Sequence, residues 1–268
     1  MNGGLVQGGT YLVRGGPGTG KTTLGLHFLT TGAANGQQSL FISLAETEAR
    51  IRRIGQALGL DLSKVDFLDL SQGPQFFAEV QSYDIFSPAE VERQPTTERI
   101  VRTVEQIRPK RVFVDPMTQL RYLATHAFQY RQQVLSFLRF LVEHGATVMF
   151  TSEASMEAPD ADLQFISDGI IELGLDDCSR YVSVTKMRWS AFSPGRHAMN
   201  LTDRKMVVFP RLVPQEHGRT FVHEPISSGV HRLISSSMVV WKGARSLLSQ
   251  DHLVSARPHL GCFSCKRP

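Results

Sequence analysis

The chain has 268 residues, 41% of them hydrophobic and 20% charged, enough for one large domain with a buried core. No apolar run approaches the ~20 residues that cross a bilayer, the first residues carry no basic-then-apolar signal segment, and three cysteines make no disulfide framework, so the cytoplasm is the expected location. The net charge of +4 does not point to nucleic acid: six Lys/Arg against Asp251 alone lie beyond His231, leaving 23 basic and 24 acidic residues before it.

In chain order, Tyr11-Leu12-Val13 reads as a strand and Thr23 to Leu29 as a helix. Between them Gly15-Gly16-Pro17-Gly18-Thr19-Gly20-Lys21-Thr22 fits G-x-x-x-x-G-K-[ST] at every fixed position. Strand, glycine loop and helix form the context that this nucleotide-triphosphate motif requires. Glycines keep side chains out of the loop, so successive backbone N–H groups can face phosphate oxygens. Residues Gly15 through Thr23 are the candidate nucleotide cradle. Lys21 is expected to bridge the outer phosphates, and the Thr22 hydroxyl to ligate Mg²⁺.

Ser39 to Leu44 reads as a buried strand, Glu48 to Leu58 as a helix closed at Gly59, and Val65 to Leu70 as another strand. Residues 71–94, with Pro74 and Pro88, read as an irregular surface excursion, and Thr96 to Ile107 as a helix. Arg111 to Asp115 is a strand ending in an acid, Tyr130 to Glu143 a helix closed by Gly145, and Ala146 to Thr151 a strand. Beyond Asp168 come short strands with tight turns at Gly169–Leu173, Tyr181–Met187, His197–Leu201 and Lys205–Phe209. Alternating α/β followed by a β-rich finish implies a mostly parallel sheet with helices on both faces and an antiparallel extension.

Two acids stand where such a sheet gathers its chemistry. Asp115 closes an apolar strand and is the candidate to hold Mg²⁺ beside Thr22, although acids at strand ends are common on bland grounds. Glu46 follows the second strand, where side chains converge on a nucleotide crevice, and a carboxylate there can orient and deprotonate water. It also fits as an acid at a helix N-terminus, favoured by the dipole.

Together these residues resemble the RecA-like P-loop ATPases, most closely the KaiC family of ring ATPases, over residues 3 to about 228. The matches are Gly3-Gly4-Leu5, the glycine loop, Asp115, the run Ala146 to Glu153, Phe165-Ile166-Ser167-Asp168 and Lys186-Met187-Arg188. The resemblance implies a RecA-like fold that binds ATP with Mg²⁺ and hydrolyses it slowly in a homo-oligomeric, hexameric ring, with protein partners and a regulatory role to match. It implies that Lys186 and Arg188 reach the γ-phosphate in a neighbouring subunit. The family carries a glutamate pair after the second strand; Ala45-Glu46 retains only the second. Members with Ser/Thr autokinase activity phosphorylate an adjacent Ser-Thr pair, where this chain has Gln164-Phe165, so hydrolysis is the better expectation. The alternatives are a RecA-like ATPase acting on DNA, a non-enzymatic nucleotide-dependent scaffold, and an inactive remnant.

The tail invites two readings. His259, Cys262 and Cys265 suggest zinc but lack a fourth ligand. Read one base out of frame, Ser249 to Leu260 can spell Thr-Gly-Pro-Pro-Gly-Val-Gly-Lys-Thr-Thr-Leu, a second glycine loop hidden from the protein alphabet. The expected organisation is an ATPase domain at 1–229 and a frameshifted, disordered tail at 230–268, replacing a tandem second domain that opens at Glu224-Pro225-Ile226-Ser227-Ser228-Gly229. The N-terminus is likewise expected to lack a first strand before Gly3.

Overall fold

The computed structural model describes residues 4–71, 88–124, 127–153, 160–176, 179–202 and 205–211. The readings of the tail, of Gly3 and of the segment at 72–87 lie outside the described residues.

The apolar runs form the parallel half of one sheet. β1 (Thr10–Arg14), β2 (Ser39–Ser43), β3 (Val65–Asp69), β4 (Arg111–Asp115), β5 (Thr147–Ser152) and β6 (Gly169–Leu175) are joined by antiparallel β7 (Arg180–Met187), β8 (Arg196–Leu201) and β9 (Met206–Phe209). The order is β3-β2-β4-β5-β1-β6-β7-β8-β9, with β1 parallel to both β5 and β6. Parallel strands are covered on both faces, which is why they read as continuous apolar runs.

Side-chain alternation divides each parallel strand between two cores. On one face Leu12, Ile42, Val114 and Phe150 pack with Ile100 and Val104 of α3 (Pro88–Ile107), with Val134, Leu138 and Leu141 of α4 (Ala127–Glu143), and with Leu163 of α5 (Ala161–Ile166). On the other face Val13, Phe41, Phe113 and Met149 pack with Leu26 and Leu29 of α1 (Lys21–Ala34) and Ile51 of α2 (Glu48–Ala57). Each such fully buried side chain contributes about 1.5–3 kcal/mol. The approach of α1 to β4 depends on Gly25, where an added Cβ would lie 2.1 Å from the Phe113 ring. No helix among the described residues is long and apolar enough to cross a membrane.

One local expectation needs correction, and two short elements were not foreseen. α3 begins at Pro88, eight residues before Thr96, because a proline in a helix's first turn forfeits no hydrogen bond. A 3₁₀ helix at Met117–Leu123 and the short α5 fall in stretches to which the sequence assigned no element; one or two turns give too few residues for periodicity to register.

Candidate functional site

The glycine loop leaves the C-terminal end of β1 and enters α1 at Lys21. Gly15, at φ 153°, brings its backbone so close to β6 that an added Cβ would lie 2.2 Å from the Leu173 carbonyl oxygen. Gly20, the residue before α1, has φ 101°, a backbone state that side chains resist. Gly16, Pro17 and Gly18 are exposed, whereas Thr19 is 3% exposed and donates from its hydroxyl to the Gly16 carbonyl at 2.9 Å. Thr23 is half-buried in the first turn of α1. No side chain caps that turn and it holds no acidic residue, so its N–H groups face the open loop.

Lys21 Nζ donates to the carbonyls of Gly15 at 2.9 Å and Gly16 at 3.0 Å, folded across its own loop. Burial holds its pKa below the ordinary lysine range; the nearby Glu153 and Asp115 carboxylates oppose that shift. The Thr22 hydroxyl donates to Asp115 Oδ2 at 2.6 Å, joining residues 93 positions apart. Asp115 Oδ1 accepts from the Thr151 hydroxyl of β5. The carboxylate is thus held at both oxygens. Thr22 and Asp115 offer the hard oxygen donors that suit Mg²⁺, the remaining positions falling to phosphate and water. Among the described residues no group of three His, Cys, Asp or Glu could form an all-protein metal cage.

Glu46 lies at the same strand-end edge. Ser43 pairs in register with Asp115, and the Ser43 hydroxyl donates to the Glu46 carbonyl, fixing the turn after β2. Arg50 Nε stands 2.8 Å from Glu46 Oε2, an ion pair without hydrogen-bond alignment. The side chains are 69% and 43% exposed, so the pairing is weak.

Lys186 and Arg188 are elsewhere. β7 runs antiparallel to β6, placing Lys186 opposite Ile170 and Met187 opposite Gly169, while Gly169 lies beside Tyr11. From Tyr11 to Gly15 is four residues, about 13 Å of strand at ~3.3 Å per residue. The two cations therefore sit at the N-terminal edge of the parallel strands, and one chain does not bring them to its own loop. Lys186 Nζ donates to the Gln164 carbonyl at 2.8 Å, and Arg188 Nη1 to Asp168 Oδ1 at 3.2 Å.

Two site residues were not singled out from sequence. Thr151 gave a signal, since it closes a strand at the same sheet edge as Asp115. Glu153 follows β5 immediately, and Ser152 pairs with Arg14, so Glu153 stands beside the start of the glycine loop.

A family model described as "ATPase: KaiC" matches residues 1–213. A UPF0273 protein of Thermotoga maritima is 28% identical over 78% of this chain and 91% of its own length. A UPF0273 protein of Saccharolobus solfataricus is 30% identical over 78% of each chain. The circadian clock oscillator protein KaiC of Parathermosynechococcus lividus is 26% identical over 99% of this chain and 52% of itself. The crystal structure of a KaiC-like protein from Pyrococcus horikoshii superposes with a TM-score of 0.63 at 27% identity, covering 78% of this chain and 93% of that one.

Proposed function

The chain belongs to the KaiC family of ATPases, and from that premise we propose that it binds Mg-ATP at Gly15–Thr23 and hydrolyses it within a homo-oligomeric ring. The observation that carries this reading is the 2.6 Å hydrogen bond between Thr22 and Asp115, which assembles a two-oxygen cation seat beside a glycine loop.

Lys21 exchanges the Gly15 and Gly16 carbonyls for the outer phosphate oxygens of ATP, an exchange that returns its ammonium to an anionic partner. Thr22 and Asp115 hold Mg²⁺, with Thr151 fixing the second carboxylate oxygen. The metal supplies neutralisation of charge on the β- and γ-phosphates. Glu46, released from Arg50, orients a water and accepts its proton. Lys186 and Arg188 of one subunit face the loop of the next and stabilise charge developing on the transferred phosphoryl group. The relative named as a circadian clock oscillator supports a regulatory role.

The test measures ATP hydrolysis and native mass together across a range of protein concentration. Specific activity is expected to rise as rings form, Lys21→Ala to lose ATP binding, and Glu46→Gln to bind ATP without turnover. Turnover by monomers at the full rate, or unchanged turnover in the Glu46 variant, overturns the corresponding part. A second reading, a scaffold that binds nucleotide without hydrolysis, draws on the Glu46–Arg50 pairing; saturable ATP binding with no turnover in assembled rings selects it.

A further inference from the structure

Asp168 is built into the base of the sheet more firmly than a surface carboxylate needs to be. Its Oδ2 accepts from the Thr10 backbone N–H at 3.0 Å and from the Thr10 hydroxyl at 2.8 Å. Its own backbone N–H donates to the Thr10 carbonyl at 2.8 Å, and its carbonyl accepts from the Arg188 N–H at 3.1 Å. The residue is thereby fixed between the start of β1 and the end of β7. Only Oδ1 is turned to a mobile group, the Arg188 guanidinium at 3.2 Å. The side chains of Arg188 and Asp168 are 53% and 14% exposed, so an anchored acid holds a largely solvated cation.

Lys186 shares this arrangement. Burial and the neighbouring Arg188 both lower its pKa, and Asp168 opposes them. One carboxylate therefore moderates the repulsion between two cations that point from the same strand end.

We propose that Asp168 is the positioning residue for Arg188, holding its guanidinium in the orientation that reaches the phosphates of a neighbouring subunit's ATP. This rests on the trans role given to Arg188 above. A free arginine populates many rotamers, and a positioning error near 1 Å at a reacting centre costs on the order of 100-fold. A carboxylate bonded to the sheet at one oxygen and to the guanidinium at the other removes most of that freedom before the neighbour docks. The competing account is structural. Asp168 is tied to β1, which leads into the chain's own glycine loop, so loss of its charge could act on the site in cis.

Mixed rings separate these accounts. Lys21→Ala subunits have an empty site with an intact finger, and Asp168→Asn subunits have an intact site with a loosened finger. The Asn oxygen can still accept both Thr10 bonds, while the negative charge facing the Arg188 guanidinium is gone. Asp168→Asn rings are expected to lose about tenfold or more in kcat with little change in KM, and mixing with Lys21→Ala subunits to restore hydrolysis above either parent. Within an Arg188→Ala background, Asp168→Asn should cost nothing further. Absence of rescue, or a full additional loss in that background, overturns the proposal. Mixing Arg188→Ala with Lys21→Ala subunits is the control: if this pair fails to complement, the trans reading of Arg188 itself falls. If the control complements and the Asp168 pair does not, only the positioning role falls. Asp168→Glu keeps the charge while displacing it by one methylene, and provides a second variant with the same expected trans rescue. Failure of both variants to enter rings, read by native mass, assigns the residue to the fold and overturns the proposal.

Discussion

At the scale of single residues, Lys21 carries the sharpest expectation. Its folded pKa lies below the ordinary value of 10.5 because the ammonium is partly desolvated. Without nucleotide the unfolded chain therefore binds more protons at this position, and the folded state gains stability as pH rises from the lowered pKa towards 10.5. Lys21→Met should remove that rise while abolishing ATP affinity, as read by denaturation midpoints at several pH values beside equilibrium nucleotide binding. A wild-type profile that parallels the variant's would show that burial of Lys21 has no such effect. The residue identities at this loop were legible because a motif constrains them one by one. The partners of Asp115 were not. Thr151 is distant in sequence and becomes its neighbour only through the pairing of β4 with β5.

At the scale of elements, α1 docks on the sheet through Gly25 against Phe113. Gly25→Ala forces a methyl into an aromatic ring and should cost about 1–3 kcal/mol, seen as a lower urea midpoint at unchanged slope. Adding Phe113→Leu should recover part of the loss, since the ring is what the methyl meets. A second element-scale contact joins the end of β1 to α5: Arg14 Nε lies 3.1 Å from Asp160 Oδ2, and Asp160 is 2% exposed. Arg14→Ala leaves that carboxylate with Gln164 at 2.7 Å and should destabilise by about 3 kcal/mol. A change below about 0.5 kcal/mol would place Asp160 in better contact with water than its burial implies. The central parallel strands were legible because both their faces are buried, leaving apolar runs. α5 was not, because six residues carry too little pattern.

At the scale of the molecule, charge and topology set the expectations. With 23 basic and 24 acidic residues before His231, the chain lacks the excess of positive charge that tracks a phosphate backbone. Single-stranded DNA is accordingly expected to leave ATP hydrolysis unchanged at low salt, and strong stimulation in a steady-state assay would restore the DNA-acting alternative. The sequence by itself determined the glycine loop, the strand-end acid and the two-part α/β order, because each is written in contiguous residues or in local periodicity. It also carried the resemblance by which Lys186 and Arg188 were singled out. Only the tertiary structure decided that β1 sits between β5 and β6, so that Asp168 reaches Thr10 and Glu153 reaches the loop. It alone placed Lys186 and Arg188 at the sheet edge away from the glycine loop. Those facts depend on which strands pair and in which direction, and pairing is a non-local choice that no single segment encodes.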